Sequence, residues 1–338
     1  MKKEVPNIYD IAEFANVSIA TVSRVVNGSD KVSEATRKKV LKVIEKFGYT
    51  PNVFAQGLGL KTMHTIGIIV PTLADDYMAT AVDYLEKGLK RHGYDCILSC
   101  SGFELTEKQS KCDMLLSKHV DSLILVGSTY AGNGVDASAT DYIREAAKKV
   151  PVFIINGNIS GENVYATVCE DEAVVCDVTG KMIERGRKNI WFLTDSRSYS
   201  SNNKKKGYEK AVERAGLASN VIYVENDIHS VKEQLSGLKD KSDGIIAAND
   251  KIAVGAVKYA VSAGLKIPDE IEIVGYNNSI LAMSSTPEIS SIDNHTAEVC
   301  HDTVERIMHN LNDDGYKPSN KITISCNLVC RETTKVSD

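Results

Sequence analysis

The sequence has none of the long apolar segments that mark membrane proteins. No apolar run in its 338 residues approaches the roughly 20 residues of a membrane-spanning helix. The first residues, Met1–Pro6, lead directly into a polar helix, whereas a secretion signal needs an apolar segment at this point. We therefore expect a cytoplasmic protein without membrane association, and its length allows two or three domains.

The spacing of the eight cysteines does not indicate a metal site or a disulfide framework. No Cys-x-x-Cys pair occurs, and His295 and Cys300-His301 have no further candidate ligands nearby in the sequence. Buried, reduced thiols are the ordinary state of cysteine in a cytosolic protein. We expect neither a metal nor a cofactor.

Motifs of common enzyme sites are also missing. The sequence has no P-loop, no Gly-x-Ser-x-Gly and no complete dinucleotide-binding glycine motif, since Gly57-Leu58-Gly59 lacks the third glycine and the preceding strand. We therefore expect that the protein is not an enzyme.

Basic residues are concentrated at the N-terminal end of the chain. Up to Thr62 there are ten Lys/Arg and six Asp/Glu, a balance of +4, and the remainder has 30 against 39, a balance of −9. A basic head on an acidic body is typical of a protein whose head binds a polyanion such as DNA. Ordinary surface variation would also give such a difference.

Two short helices separated by a tight turn are predicted in the basic head. Apolar residues recur at helical spacing over Ile8–Ala15, with Asn7 as the N-terminal cap. The second helix follows the capping residue Ser18 and ends at Asn27-Gly28; its apolar stripe is Val22, Val25 and Val26. The arrangement is that of a helix-turn-helix, whose second helix enters the DNA major groove. An ordinary helical hairpin is the alternative.

The residues of this region resemble the headpiece of the lac repressor (LacI/GalR) family of bacterial transcription regulators. The matching motifs are Asp10-Ile11-Ala12 and Val17-Ser18-x-x-Thr21-Val22-Ser23-Arg24-Val25-x-Asn27, without a gap. The resemblance implies a homodimer that represses transcription by binding a pseudo-palindromic operator in double-stranded DNA. The DNA-binding residues expected in this helix are Ile19, Ala20 and Arg24 on base edges, Ser18, Thr21 and Ser23 on phosphates, and Asn27.

A third helix and a linker complete the basic head. The third helix begins after Ser33, and its predicted buried stripe is Val40, Leu41, Ile44 and Phe47. The segment Pro51–Lys61 resembles the family's hinge helix, which implies that Leu58, with Ala55 beside it, enters the minor groove and bends the duplex. A plain flexible linker is the alternative.

From Thr65 onward, continuous apolar strands alternate with helices. This rhythm predicts parallel sheets covered on both faces, and the nine strands found between Ile66 and Val274 exceed one ordinary sheet. The resemblance implies a body of two α/β lobes like periplasmic sugar-binding proteins. The predicted domains are a helix-turn-helix headpiece (1–50), a hinge (51–62), an N-terminal lobe (63–162 plus 291–320) and a C-terminal lobe (163–290 plus 321–338). The chain ends without leucine heptads, so we expect a dimer.

A ligand cleft is expected where the carboxyl ends of the strands of the two lobes face each other. The candidate ligand-binding residues lie in the loops after the strands: Asp75, Tyr77, Ser128, Asn156, Lys204, Asn249 and Asn277. Three of them differ from the family pattern, which has arginine at 204 and aspartate at 156 and 277. A lysine keeps the positive charge but loses the bidentate fork of arginine.

These differences leave three possibilities for the effector: a sugar held in another way, a different small molecule, or none. A small polar ligand is favoured by the hydrogen-bonding side chains of the loops. A regulator controlled by a protein partner, or without an effector, is the alternative. A solute-binding protein of a transport system would share the body but predicts an export signal and no headpiece.

Overall fold

The computed structural model describes residues 6–26, 29–49, 62–132, 137–238, 241–313 and 315–335. The chain divides into two compact units, Met1–His64 and Thr65–Asp338. Within the described ranges, no helix is long and apolar enough to cross a membrane. No group of three His, Cys, Asp or Glu side chains that could hold a metal ion occurs in those same ranges.

The described part of the smaller unit contains three helices, α1 (Ile8–Phe14), α2 (Ile19–Val26) and α3 (Glu34–Phe47). Their shared core consists of Ile11, Ala12, Ala15, Val22, Val25 and Val40. The predicted burial of Leu41 is wrong, because its side chain is 48% exposed. One residue along a helix turns by about 100°, so Leu41 faces away when its neighbour Val40 faces the core.

The larger unit alternates strands and helices, as the sequence predicts. Its strands are β1 (Thr65–Val70), β2 (Asp95–Cys100), β3 (Ser122–Val126), β4 (Val152–Ile155), β5 (Val164–Cys169), β6 (Ile190–Thr194), β7 (Asn220–Tyr223), β8 (Gly244–Ala247), β9 (Glu272–Tyr276), β10 (Ser290–Asp293), β11 (Lys321–Ile324) and β12 (Asn327–Val329). Its α-helices are α4 (Asp76–Arg91), α5 (Leu105–Ser117), α6 (Asp141–Ala147), α7 (Asp171–Glu184), α8 (Tyr199–Arg214), α9 (Ile228–Ser236), α10 (Asp250–Ser262), α11 (Ile280–Ser284) and α12 (Thr296–Asn312).

These strands form two six-stranded sheets, one in each lobe. The first has the order β11-β5-β4-β3-β1-β2 and is parallel throughout. The second has the order β12-β10-β9-β8-β6-β7, and within it only the pair β10–β12 is antiparallel. Helices cover the sheets, so that every residue of a strand such as β3 is buried. The expected architecture of a helical headpiece followed by two α/β lobes is therefore confirmed.

The chain crosses between the lobes at three places in the part that the structure describes. The first crossing follows β5, the second lies between β10 and α12, and the third joins β11 to β12. As predicted, α12 returns to the first lobe, where it packs on α4.

The predicted lobe boundaries differ from these strand pairings. Ranges 163–290 and 321–338 place β5 and β11 in the C-terminal lobe, whereas the two strands pair with each other in the first sheet. Range 291–320 places most of β10 in the N-terminal lobe, whereas β10 pairs with β9 in the second sheet. An apolar strand pattern shows that a strand is buried but does not show which sheet it joins.

The two helices α7 and α8 pack closely through Gly207. A Cβ atom at this position would lie 2.3 Å from the backbone oxygen of Glu172. We expect Gly207→Ala to lower the free energy of unfolding by about 1–3 kcal/mol, because the backbone of α7 cannot yield as a side chain can.

Denaturant unfolding of the variant measures this change. Gly180→Ala on α7 is the matched control, because a Cβ at Gly180 meets no atom within 4 Å. Alanine is the better helix former, so the control should be stabilised by roughly 0.5–1 kcal/mol. Equal stability of the two variants would contradict the close packing.

Candidate DNA-recognition helix and ligand cleft

Helix α2 begins at a local hydrogen-bonded cap. The backbone N–H of Thr21 donates to Oγ of Ser18 over 3.1 Å, and the two hydroxyl oxygens lie 2.9 Å apart. In the turn before the helix, Asn16 adopts a φ of +45°, a conformation that asparagine tolerates better than most residues. These features give α2 a defined start close behind α1.

The two faces of α2 differ in exposure as the sequence pattern predicts. Val22 and Val25 are buried against the other helices. The exposed residues of the cap and helix are Ser18, Ile19, Ala20 and Arg24, and Thr21 and Ser23 are half-buried. The DNA-binding predictions for Asn27, Ala55 and Leu58 lie outside the described residues. The described part of the helix therefore presents hydroxyls, two small apolar groups and one guanidinium to an incoming surface.

Of the basic residues that open α3, Arg37 has a structural contact. Its guanidinium Nη2 donates to the backbone oxygen of Ser29 over 2.6 Å, which holds the loop between α2 and α3. Lys38 and Lys39 are exposed.

In the larger unit, a cleft of about 370 Å³ lies between the two lobes. All seven residues predicted for ligand binding line it: Asp75, Tyr77, Ser128, Asn156, Lys204, Asn249 and Asn277. They come together because parallel strands direct the loops after them to one edge of each sheet.

Several cleft residues had not been singled out from the sequence. They are mainly small and polar, and include Asp195, Ser196, Ser198, Ser200, Ser201 and Asn226. Five of them, from Asp195 to Ser201, fall in a stretch that reads as an ordinary polar loop, although α8 already begins at Tyr199. The signal that could have found them is their position directly after β6.

On the first lobe, two cleft residues form a pair. The Asn156 amide nitrogen donates to the Tyr77 hydroxyl over 2.6 Å. Burial raises the pKa of Tyr77, so the phenol stays neutral and keeps its own O–H to donate. Asp75 is partly engaged, because it caps α4 by accepting from the backbone N–H of Met78 over 3.1 Å.

Serine hydroxyls connect the lobes across the cleft. Ser128 of the first lobe donates to Oγ of Ser198 in the second over 2.8 Å. The hydroxyl of Ser198 also donates to Oγ of Ser201 over 3.2 Å, and the Oγ atoms of Ser196 and Ser201 lie 2.9 Å apart. Hydroxyls both donate and accept, so this group can exchange its internal bonds for bonds to a polar ligand.

Lys204 differs from the simple expectation of a free ligand-binding cation. It is only 7% exposed, and its ammonium donates to the backbone oxygen of Ala248 over 3.0 Å. The same ammonium lies 3.4 Å from the ring centroid of Tyr276, whose hydroxyl donates to Asp171 over 2.5 Å. Burial raises the pKa of Asp171, and the positive charge of Lys204 opposes that rise. The lysine thus lines the cleft and stabilises a buried carboxylate that is not itself part of the lining.

The two asparagines of the second lobe are also held by local bonds. Asn249 caps α10 by accepting from the backbone N–H of Ile252 over 2.9 Å. Asn277 has a φ of +100°, and its side-chain oxygen accepts from the amide of Asn294 over 3.0 Å. The amide nitrogen of Asn277 has no hydrogen bond to another described residue, and a ligand could accept from it.

Comparisons with known proteins find a matching family model for each of the two units of the chain. The family model "Bacterial regulatory proteins, lacI family" matches residues 7–52, and "Periplasmic binding protein-like domain" matches residues 179–334. An HTH-type transcriptional regulator of Lachnoclostridium phytofermentans is 44% identical over 97% of this chain and 99% of its own. Catabolite control protein A of Priestia megaterium is 33% identical over 84% of this chain and 86% of its own.

Solved structures of the same fold cover nearly the whole chain. A lac repressor dimer bound to operator and the anti-inducer ONPF superposes with a TM-score of 0.87 at 22% identity, covering 98% of this chain and 100% of that one. The complex of the transcriptional regulator CelR with cellobiose gives a TM-score of 0.70 at 23% identity, with coverages of 97% and 99%. At these identities the likeness establishes the fold.

The contacts of Lys204 predict a pH-dependent loss of stability in Lys204→Met. Removing the ammonium leaves Asp171 buried with only the neutral hydroxyls of Ser200 and Tyr276 as hydrogen-bond partners, which raises the pKa of Asp171 further. The ionised carboxylate then opposes folding, and we expect a loss of about 3 kcal/mol at pH 7. Protonation of Asp171 relieves the cost, so the loss shrinks as the pH falls through the raised pKa.

Urea unfolding at several pH values measures the difference between variant and wild type. Lys206→Met, at an exposed position of the same helix, is the control and should change stability by less than about 0.5 kcal/mol at each pH. A loss for Lys204→Met that does not change with pH would argue against an ionic role.

Proposed function

The chain belongs to the lacI family of bacterial regulatory proteins and is a DNA-binding transcriptional regulator, and we propose that it represses transcription as a homodimer on a pseudo-palindromic operator, under the control of a small polar ligand in the cleft. The observation that carries the DNA part is the exposed face of α2. The observation that carries the ligand part is the cleft lined by all seven predicted residues.

On DNA, α2 would enter the major groove with its N-terminus first. Arg24 reads guanine through its guanidinium, and Ile19 and Ala20 contact thymine methyl groups. The hydroxyls of Ser18, Thr21 and Ser23 contact phosphates, which fix the register of the headpiece without specifying sequence. The proposed contacts of Asn27, and of Ala55 and Leu58 in the minor groove, rest on the sequence resemblance.

A homodimer would present two copies of α2 to the two halves of a palindrome. The described body offers surfaces for association at the edges of both sheets. β2 and β7 occupy equivalent edge positions, and each exposes a large apolar side chain, Leu98 at 36% and Tyr223 at 40%. Unpaired edge strands with apolar side chains favour association with another chain.

The proposed ligand is a small molecule rich in hydroxyl or amide groups, because hydroxyls and amides dominate the lining of the cleft. Ligand binding would change the angle between the lobes and so bias the hinge that holds the headpieces. Such couplings between sites are typically worth about 1–3 kcal/mol. A sugar or a related metabolite is the proposed class.

A regulator controlled by a protein partner, or one without an effector, is the second candidate. It is favoured by Lys204 and Asn249, whose side chains form internal hydrogen bonds rather than pointing freely into the cleft. A solute-binding protein of a transport system is disfavoured by the headpiece. The family consists of regulators, so we propose that the chain acts in the cytoplasm and is not an enzyme.

Arg24→Ala should weaken specific DNA binding. One bidentate arginine–guanine contact discriminates by roughly 1–3 kcal/mol, so we expect about a 10- to 100-fold loss of affinity for an operator selected from random duplexes by the wild-type protein. Fluorescence anisotropy at a fixed salt concentration measures the loss. The fold should be unaffected, because Arg24 is exposed.

Arg91→Ala, an exposed arginine in the larger unit, is the control and should leave affinity unchanged. The same titrations give the stoichiometry, for which we expect two chains per operator. Specific binding that survives in Arg24→Ala would refute the assigned reading face, and a single bound chain would refute the dimer.

A thermal-shift screen tests the proposed ligand. We expect one of a panel of sugars, sugar phosphates, nucleosides and amino acids to stabilise the protein by about 2.7 kcal/mol at 100 times its dissociation constant. Asn277→Asp should remove most of this effect by replacing the amide donor with a carboxylate. Aspartate is the better replacement because alanine would be strained at the positive φ of Asn277.

Asn203→Asp, on α8 outside the cleft lining, is the matched control and should bind as wild type does. A ligand that stabilises the wild type and Asn277→Asp equally would place its site elsewhere. The absence of any hit would favour a protein partner or an effector-free regulator and would leave the DNA-binding assignment intact.

A further inference from the structure

Two cysteines meet where the chain crosses between the lobes. Cys169 is the last residue of β5 and directly precedes the first crossing. Cys326 lies in the third crossing, between β11 and β12. β11 runs parallel to β5 with Ile324 opposite Cys169, and Cys326, two residues further along, packs against the apolar cluster that contains Cys169.

The thiol of Cys169 also contacts the remaining crossing and the cleft. Its Sγ lies 3.5 Å from the backbone oxygen of Asn294, which belongs to the second crossing. It lies 3.3 Å from the side-chain oxygen of Asn156, the residue whose amide donates to Tyr77 in the cleft. The Cys169 sulfur therefore contacts the second crossing and one of the two first-lobe residues that pair in the cleft, while Cys169 itself leads into the first crossing.

We propose that Cys169 and Cys326 form a reversible disulfide when the protein meets a hydroperoxide, and that this bond is a redox modification site at the hinge between the lobes. Neither cysteine has a metal-ligand cluster around it in the described residues. Two other cysteines, Cys100 and Cys330, serve as internal controls. Both are exposed; Cys100 lies on the edge strand β2, and Cys330 lies directly after β12.

The chemistry runs in two steps. The Cys326 thiolate attacks the peroxide oxygen, which gives a sulfenic acid and releases the alcohol or water that carries the other oxygen. The Cys169 sulfur then attacks the sulfenic sulfur, forming the S–S bond and expelling water. The sum for hydrogen peroxide is two thiols and one peroxide giving one disulfide and two waters.

The surroundings of the two sulfurs favour this order. Cys326 is half-buried and Cys169 is buried, so the oxidant reaches Cys326 first. The neighbouring Cys169 thiol lowers the pKa of the Cys326 thiol, which increases its reactive thiolate form. The neighbouring Cys326 thiol and then burial raise the pKa of Cys169, which keeps it protonated until Cys326 is oxidised.

The disulfide would both constrain the crossings between the lobes and alter the contacts of a cleft residue. It joins the first crossing to the third, so these two segments can no longer move independently when the lobes rotate. It also removes the S–H group that donates to Asn156, and thereby one of the bonds that position the Asn156–Tyr77 pair. The effect on ligand binding rests on the proposed function of the cleft, but formation of the bond does not.

Peptide mapping of the full-length protein after treatment with hydrogen peroxide tests the proposal. We expect a cross-linked peptide pair containing Cys169 and Cys326, lighter than the two reduced peptides by two hydrogens and cleaved by dithiothreitol. The bond closes a long loop, so the oxidised protein should unfold at a temperature higher by roughly 5 °C or more. The experiment needs no operator or ligand.

Cys326→Ser should abolish both the cross-link and the temperature shift, and Cys330→Ser should retain both. Cys169→Ser gives a second test, in which Cys326 should stop at the sulfenic acid and be trapped by dimedone. Conversion of wild-type Cys326 to sulfinic acid without a cross-link would overturn the proposal, as would a cross-link made through Cys100 or Cys330. An unchanged unfolding temperature in the cross-linked protein would overturn the claim that the disulfide constrains the crossings between the lobes.

Discussion

The parallel direction of the strands is the constraint on which the rest of the larger unit depends. Parallel strands need helical crossovers, and these return the chain so that all the loops after the strands open at one edge of the sheet. Two such sheets facing each other make a cleft from residues as distant in the sequence as Asp75 and Asn277. The three crossings are the only covalent connections between the lobes in the described residues. The arrangement of the strands therefore determines both the cleft and the segments about which the lobes can move.

This constraint explains how much of the cleft could be predicted from the sequence. Continuous apolar strands identify the parallel sheets, and the polar residues after them then identify the lining without knowledge of any contact. Which of the two sheets β5, β10 and β11 join could not be predicted in the same way, because it depends on pairing between strands far apart in the chain. The capping of α2 by Ser18 was predictable because it is local.

The role of Lys204 shows where residue identity alone was insufficient. Its position predicts a cleft residue, and the structure places it there, but its charge is directed towards Tyr276 and Asp171, which do not line the cleft. A flexible ammonium group can satisfy such an internal site with a single hydrogen bond to Ala248, whereas a planar guanidinium presents five donors in a fixed geometry. Beside Asp75, Asp195 and Lys251, the other polar side chains that line the cleft are neutral hydroxyls and amides. The proposed ligand is therefore defined by hydrogen bonds more than by charge.

The separation of buried and exposed residues in α2 has a consequence for how such a protein can change the operator sequence that it binds. Val22 and Val25 carry the packing of this helix into the core, while Ile19, Ala20 and Arg24 project from the opposite side. With the proposed DNA contacts, folding energy and base selection would reside in different side chains of the same eight residues. New operator sequences would then be accessible through substitutions on the outer side alone, each nearly neutral for stability. Specificity would change without passing through unfolded intermediates.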